Sequence, residues 1–356
     1  MEIGILGLPK AGKTTLFNTL TASEQETDKF ATSAKTNIGI TQVPDARLAQ
    51  LRDLFNPRRY VPATVQYVDI PGLRQGEGAE SLDLAKLKAV DALVHVVRAF
   101  EDPELLHAAG DVDPARDVAT IDLELILADH ELVERRIERL KKGEKRGLSP
   151  EEKREQALLG DVLLPALEDE TPLREVVLDE EDERRIRGFQ LLSAKPLLLV
   201  VNVGEDEVAS ATPEGLGIHP GAGVKAITVS APIEDEIARL APEEQREFLE
   251  ALGLEEASLD RVIRASFDLL GLISFFTVGE DEVRAWTIRR GTVARQAAGA
   301  IHSDIERGFI RAEVVPWEDL LNRKTLAACR DEGLLRLEGK EYVVQDGDVV
   351  HYRFNV

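Results

Sequence analysis

The eight residues Gly7-Leu8-Pro9-Lys10-Ala11-Gly12-Lys13-Thr14 constrain this chain more than any other stretch. They follow the pattern G-x-x-x-x-G-K-[ST], in which backbone N–H groups surround a phosphate, the lysine reaches the β- and γ-phosphate oxygens and the hydroxyl binds Mg²⁺. An apolar, strand-like segment precedes the pattern and a helix-like segment follows it, which is the context that the motif requires. The sequence therefore predicts a nucleotide site that includes Lys10, Ala11, Gly12, Lys13, Thr14 and Thr15.

A second nucleotide motif, Asp69-Ile70-Pro71-Gly72, follows the predicted strand 65–69. In this order and context, Asp-x-x-Gly is the second half of a nucleotide switch. Asp69 is predicted to hold Mg²⁺ through water, and the N–H of Gly72 is predicted to contact the γ-phosphate. The polar segment 24–42 is the place for a further hydroxyl ligand of Mg²⁺. Spacing alone does not choose among its hydroxyls, which include Thr32, Ser33 and Thr36.

The predicted strand 196–201 ends at Asn202-Val203-Gly204-Glu205, where GTPases carry Asn-Lys-x-Asp. In GTPases the Asp accepts two hydrogen bonds from guanine and the Lys stem lies over the base. Here Val203 replaces the Lys, and Glu205 is one methylene longer than the Asp. Because lost hydrogen-bond readout removes most discrimination between purines, we predict that ATP binds at least as well as GTP. The next strand ends at Ser230 and Ala231, which are also candidates for nucleotide binding.

Two positions bear on hydrolysis. Many GTPases place a glutamine directly after Asp-x-x-Gly to orient the attacking water, but this chain has Leu73 there, so slow intrinsic hydrolysis is expected. His107 lies beyond the apolar strand 92–97, at the edge where ligands bind in such sheets. It is a candidate for placing the water, with Lys13 stabilising charge. His95, inside that strand, is interpreted as a core histidine.

The hydrophobic pattern predicts an α/β chain whose nucleotide domain is interrupted. Apolar residues at helical spacing in 116–190 indicate an antiparallel helical hairpin with coiled-coil packing, and strand patterns return after it. The predicted organisation is a nucleotide-binding G domain with a parallel sheet (1–115 and 191–272), an inserted helical domain (116–190) and a small α+β domain (273–356).

Charge and composition exclude several classes of protein. The net charge is −22, and residues 111–272 hold 38 of the 66 acidic residues but 20 of the 44 basic ones. Non-specific nucleic-acid binding by the whole surface is therefore not expected. A single cysteine fits a reducing compartment. The sequence contains no apolar run long enough to span a membrane and starts directly with a strand, so a cytoplasmic protein is expected.

Taken together, these residues resemble the YchF family of Obg-related P-loop NTPases. The resemblance rests on GLPKAGKTT, DIPGL, HVVRAF and NVGE, and above all on the C-terminal stretches LISFFTVGEDEVRAWTIRRGT, AAGAIHSDIERGFIRAE and EGKEYVVQDGDVVHYRFNV. It implies an inserted helical domain, a C-terminal TGS domain of the β-grasp fold and an ATP-preferring hydrolase associated with ribosomes. A family histidine implicated in hydrolysis falls on His107. The family's switch threonine falls on Thr32, and a one-residue length difference leaves Ser33 and Thr36 open.

The sequence departs from the family at two places. The loop after Asp-x-x-Gly is shorter than usual, and Lys10 stands where the P-loop usually carries Asn. In related potassium-activated NTPases, that Asn helps to bind K⁺ beside the phosphates. One hypothesis is that the Lys10 ammonium occupies the K⁺ site and makes hydrolysis independent of potassium. The alternative is that Lys10 points to solvent.

Three functions compete. The first is an ATP-driven, Mg²⁺-dependent switch that acts on the ribosome, with rRNA as a further candidate partner through the TGS and helical domains. The second is a ribosome- or RNA-binding scaffold with negligible turnover. The third, an ordinary GTPase, is disfavoured by Val203 and Glu205. Six arginines are candidates for an RNA-facing strip, with salt bridges as the alternative role: Arg284, Arg289, Arg290, Arg295, Arg307 and Arg311.

Overall fold

The structure, a computed structural model, describes residues 1–21, 37–71, 83–107, 109–144, 147–221 and 223–355. The predictions made for Thr32, Ser33, Thr36, Gly72 and Leu73 lie outside these ranges. Contacts divide the chain into two compact units, Met1–Gly39 with Gln66–Val262, and Ile40–Val65 with Ile263–Val356. Within the described ranges, no helix is long and apolar enough to cross a membrane.

The secondary structure of the described residues is numbered in chain order. The strands are β1 (Glu2–Leu6), β2 (Asn37–Gln42), β3 (Arg59–Val61), β4 (Thr64–Asp69), β5 (Ala92–Ala99), β6 (Leu197–Val203), β7 (Lys225–Val229), β8 (Leu272–Thr277), β9 (Glu282–Arg289), β10 (Phe309–Pro316), β11 (Arg336–Glu338) and β12 (Asp348–Phe354). The α-helices are α1 (Lys13–Thr21), α2 (Ala46–Phe55), α3 (Leu84–Ala89), α4 (Pro114–Gly143), α5 (Pro150–Ala157), α6 (Leu164–Glu168), α7 (Glu180–Ile186), α8 (Ala231–Arg239), α9 (Pro242–Ala251), α10 (Ser258–Leu269), α11 (Ala294–Ile301), α12 (Ser303–Arg307), α13 (Trp317–Arg323) and α14 (Leu326–Asp331).

The first sheet has the strand order β2-β4-β1-β5-β6-β7. Strand β1 pairs in parallel with β4 and β5, and β6 pairs in parallel with β5 and β7. Every residue of β6 is buried, as expected of a strand covered on both faces. The carboxyl ends of these parallel strands share one edge, so the P-loop after β1, Asp69 at the end of β4 and Asn202 near the end of β6 meet there. The predicted α/β fold is confirmed.

The helical insertion has a hydrophobic core of its own. Near its start, α4 contributes Ile121 and Leu125 to the core of the nucleotide domain, whereas further along it contributes Val133 and Ile137 to a separate cluster. A π-helical turn, Leu158–Leu163, joins α5 to α6 and supplies that second cluster with leucines. The change from one core to the other therefore occurs within α4.

The second sheet has the order β11-β10-β12-β8-β9-β3. Strands β8 and β12, the first and last strands of the C-terminal region, pair in parallel. Helix α11 packs its alanines into the hydrophobic core of this unit. This is the β-grasp arrangement that the resemblance implied. The sequence analysis did not anticipate that β3 extends this sheet, in parallel with β9. Residues 40–65, which we had placed in the range 1–115 of the nucleotide domain, belong to the second unit.

Candidate nucleotide-binding site

The loop after β1 is built so tightly that its two glycines have no room for a side chain. Gly7 has φ +148°, and a Cβ atom there would lie 2.3 Å from the carbonyl oxygen of Val96. Gly12 has φ +92°, and its Cβ would lie 2.4 Å from Nδ2 of Asn202. Both conformations are accessible to glycine without strain. The loop therefore keeps its backbone N–H groups close to the start of α1, as phosphate binding requires.

Lys13, the first residue of α1, is buried inside this loop. Its Nζ donates hydrogen bonds to the carbonyl oxygens of Gly7 (3.0 Å) and Leu8 (2.8 Å). Burial lowers the pKa of Lys13 to about 8, and the nearby charge of Asp69 acts in the opposite direction. A buried ammonium group whose hydrogen-bond partners among the described residues are carbonyl oxygens is stabilised by an anion, so the arrangement fits a bound phosphate.

Asp69 lies at the end of β4, opposite Ile5 in the register with β1. Burial raises the pKa of its carboxyl group, while the charge of Lys13 and a hydrogen bond from the Asn37 side chain lower it. Thr14 follows Lys13 and is half-buried. A hydroxyl and one carboxylate suit Mg²⁺, which usually keeps several waters and takes its other ligands from phosphates. The described residues contain no cluster of three or more His, Cys, Asp or Glu side chains that could hold a metal ion.

Asn202 joins the phosphate-binding loop to the start of α8. Its Nδ2 donates to the carbonyl oxygen of Ala11 (3.1 Å), and its Oδ1 accepts from the N–H of Ala231 (3.0 Å). The side chain is buried, so these bonds are shielded from water. The neighbouring Ser230 is also fully buried, and its hydroxyl has no partner within the described part of the chain.

The two positions that would read guanine are differently placed. Val203 is 1% exposed and lies in the core cluster of the nucleotide domain. Glu205 is exposed and begins the short 3₁₀ turn Glu205–Glu207. Thr15, the second residue after Lys13, is half-buried in α1. At the two positions where GTPases read guanine, the chain thus has an exposed carboxylate and a buried valine.

Lys10 adopts a left-handed backbone conformation, with φ 64°, and is exposed. Asparagine tolerates this conformation better than lysine does, because its short side chain bonds locally to the backbone. The backbone at Lys10 thus favours the asparagine that the family resemblance implies at this position.

His107 is buried in the loop between β5 and α4. Its Nε2 lies 2.8 Å from Oδ2 of Asp117, with side-chain exposures of 2% and 3%. The N–H of Ala109 donates to its Nδ1 at 3.1 Å. Sequence reasoning missed Asp117, because an acid in the first turns of a helix is usually explained by the helix dipole. His95 is fully buried, burial lowers its pKa to about 3, and both ring nitrogens lack partners among the described residues.

These features define a P-loop NTPase of the nucleotide-switch class. At one edge of the sheet the structure brings together a tight glycine-containing loop, a buried lysine, an aspartate at a strand end and an asparagine that holds the loop. Residues 2–136 match a family model described as "50S ribosome-binding GTPase". Residues 272–355 match the model YchF-GTPase_C, described as "Protein of unknown function (DUF933)".

The chain belongs to the YchF family. It is 46% identical over 371 residues to a Bacillus subtilis protein named "Ribosome-binding ATPase YchF", with 100% of both chains covered. A protein of the same name from Escherichia coli O157:H7 is 42% identical, covering 100% of this chain and 99% of the relative. The solved structure of the Schizosaccharomyces pombe YchF GTPase superposes with a TM-score of 0.87 at 35% identity, covering 99% and 97% of the two chains. The family predicted from the sequence is confirmed.

Proposed function

We propose that this protein is an ATP-preferring, Mg²⁺-dependent P-loop NTPase that hydrolyses ATP slowly and acts as a cytoplasmic nucleotide switch on the ribosome. The names of its relatives support hydrolysis and ribosome binding but differ on the base, since some are called ATPases and others GTPases. The observation that supports the base preference is the combination of an ordered phosphate-binding loop with an incomplete guanine reader. Asn202 holds the loop, while Val203 is buried in the core and Glu205 is exposed and one methylene longer than the aspartate of GTPases.

In this proposal each residue has one task. The N–H groups at the start of α1 and the Lys13 ammonium stabilise the negative charge that develops on the phosphates. Thr14 and, through water, Asp69 would hold Mg²⁺, which would supply neutralisation of the phosphate charge. A switch hydroxyl (Thr32, Ser33 or Thr36) completes the ion site, and Gly72 senses the γ-phosphate. His107 places the attacking water, a role for which Leu73 has no suitable group.

Calorimetric titration with Mg·ATP and Mg·GTP tests the base preference. We expect ATP to bind at least as tightly as GTP in the wild type. The variant Glu205→Asp restores one of the two missing guanine-reading side chains and should shift the ratio toward GTP by about five- to a hundredfold, because its two regained hydrogen bonds are worth about 1–3 kcal/mol together. A wild type that prefers GTP by tenfold or more would contradict the proposal.

A second candidate is a ribosome-binding scaffold whose nucleotide is a ligand with negligible turnover. The observation that favours it is the engagement of both His107 ring nitrogens inside the protein. Multiple-turnover hydrolysis, measured with and without ribosomes for the wild type and His107→Ala, separates the two. Turnover that depends on His107 supports the switch, and no turnover under either condition supports the scaffold.

The side chain of Lys10 bears on whether ATP hydrolysis depends on potassium. We infer that its ammonium replaces K⁺ beside the phosphates, and the exposed position of the side chain leaves it free to turn inward when a phosphate binds. The variant Lys10→Asn should then acquire a several-fold higher ATPase rate in K⁺ than in Na⁺, whereas the wild-type rate should be equal in both. A wild type that K⁺ accelerates several-fold would exclude the replacement.

For the ribosome, we propose contact through the arginines of the C-terminal unit, with rRNA as the partner. Arg289 and Arg290 are exposed at the end of β9, and Arg284 stacks on Trp286 at 4.1 Å, a pairing that also suits nucleotide bases. The double variant Arg289→Ala/Arg290→Ala should weaken cosedimentation with ribosomes and reduce its salt dependence, without changing ATP affinity. Arg353→Ala is the matched control, because Arg353 pairs with Glu313 within the sheet.

A further inference from the structure

The side chain of His107 is held by two directed hydrogen bonds that together fix its protonation pattern. A backbone N–H can only donate, so the bond from Ala109 requires an unprotonated Nδ1. The ring proton therefore lies on Nε2 and is donated to Oδ2 of Asp117, 2.8 Å away. Both nitrogens are used, and the imidazole has no atom left with which to orient water or contact a phosphate.

Asp117 is itself anchored on both sides of the loop. It lies in the first turn of α4, where its backbone N–H bonds to the carbonyl oxygen of Asp113. Its second carboxylate oxygen, Oδ1, lies 3.3 Å from Arg116, whose guanidinium also bonds to the side chain and carbonyl oxygen of Asp111 at 2.7 Å. The Asp117 carboxylate thus accepts a hydrogen bond from the His107 ring and contacts the Arg116 guanidinium, which in turn is bonded to Asp111.

The loop around His107 has an inverted pattern of burial. His107 is 8% exposed, whereas Leu106 beside it is 79% exposed. An apolar side chain in water and a polar ring in the interior are each unfavourable unless a specific interaction compensates. The bond to Asp117 supplies that interaction, since hydrogen bonds to a charged acceptor are roughly twice as strong as neutral ones.

We propose that Asp117 is a positioning residue that stores His107 away from the reaction and thereby sets the basal rate of hydrolysis. The inference rests on the proposed role of His107 in placing water. In a catalytic dyad, the carboxylate binds one ring nitrogen and the other faces the substrate. Here Ala109 occupies that other nitrogen, so the contact with Asp117 restrains the histidine and does not aim it. Hydrolysis then requires both bonds to break.

The variant Asp117→Asn tests this proposal in the full-length protein. It keeps the shape of the side chain but replaces a charge-assisted bond with a neutral one, so the released population of His107 increases. We expect kcat for ATP to rise about three- to tenfold with KM unchanged. Asp129→Asn is the matched control, since Asp129 is a buried carboxylate on the same helix that accepts bonds from Leu192 and Ser193. Its kcat should not change.

Double variants separate the possible failures. In Asp117→Asn/His107→Ala, the gain should vanish and the rate should equal that of His107→Ala alone. An unchanged or lower kcat in Asp117→Asn would overturn the storage role while leaving the proposed function intact. A wild-type rate in His107→Ala would instead overturn the proposed role of His107.

A measurement on the wild-type protein keeps the proposal testable if the variant folds poorly. With ¹⁵N-labelled histidine, the protonated Nε2 of His107 should give a slowly exchanging NMR signal, assigned by its loss in His107→Ala. Addition of Mg²⁺, ADP and aluminium fluoride, which mimic the transferring phosphate, should abolish that signal. Persistence of the signal in the inhibited complex would overturn the proposal, because the ring would then still be bound to Asp117.

Discussion

Replacing Asn202 with alanine tests the link between the phosphate-binding loop and the rest of the nucleotide domain. The change removes the hydrogen bond to the carbonyl oxygen of Ala11 and the bond from the N–H of Ala231. Ala11 and Ala231 are 2% and 3% exposed, so neither group gains a water molecule easily in exchange. An unpartnered buried polar group costs about 1–3 kcal/mol, and the free energy of unfolding should therefore fall by about 2–5 kcal/mol.

The same change should weaken ATP binding. Without Asn202 the loop must be ordered by the nucleotide itself, and the ordering cost is subtracted from the binding free energy. A cost of about 1.4–2.7 kcal/mol corresponds to a 10- to 100-fold higher Kd. Urea unfolding followed by circular dichroism gives the stability, and calorimetric titration with Mg·ATP gives the affinity.

Two neighbouring variants make the interpretation specific. Asn202→Asp keeps an acceptor for the N–H of Ala231 but places a carboxylate oxygen against the carbonyl oxygen of Ala11, so it should weaken ATP binding at least as much as alanine does. Ser230→Ala removes a buried hydroxyl that has no partner in the described residues and should leave the free energy of unfolding unchanged or slightly higher. The reasoning fails if Asn202→Ala unfolds at the wild-type urea concentration and binds ATP with the wild-type Kd.

Three further changes have defined outcomes. Gly12→Ala should abolish measurable ATP binding in a calorimetric titration, whereas Gly110→Ala, with a similar φ of +96° but nothing within 4 Å of the added Cβ, should retain it. Val203→Lys should lower the melting temperature by about 5 °C or more, because it puts an ammonium group in the core cluster, and calorimetry should show no gain in GTP preference. Burial raises the pKa of Glu234 above its ordinary value of 4.5, so the folded state retains the proton better than the unfolded chain. Relative to Glu234→Gln, the wild type should therefore lose stability in urea unfolding as the pH rises from about 4.5 toward neutrality, and a constant difference would contradict this.

The phosphate half of the site was accessible from the sequence because it is local. Gly7, Gly12 and Lys13 lie within one short loop, and each residue type has a steric or electrostatic reason to be there. The position of Asp69 near Lys13 was also predictable from the sequence, because parallel strands end at a common edge of the sheet. Contacts between residues at the carboxyl ends of neighbouring parallel strands can be predicted from the order of the strands along the chain.

Other features depend on pairings that no local pattern shows. Strand β3 has three residues, too few for a period to be recognised, and it is a strand only because β9 offers a parallel edge to it. The segment 342–344 forms a single bridge, Val293 with Val343, which depends on a partner about 50 residues earlier in the chain. Asp117 has the sequence context of an ordinary helix-start acid, and its role emerges only from its distance to His107.

Two separate features of the chain point to slow hydrolysis. Leu73 stands where many GTPases carry the glutamine that orients the attacking water. The contact with Asp117 keeps His107, the residue proposed to place the water instead, away from the reaction. The second restraint is reversible, and it is located where α4 begins. That helix has 30 residues, so at a rise of 1.5 Å per residue it is about 45 Å long. Its first turns carry Asp117, and its later turns belong to the core of the helical insertion. A partner that shifted the insertion would therefore act on the helix that carries Asp117 and, through Asp117, on His107.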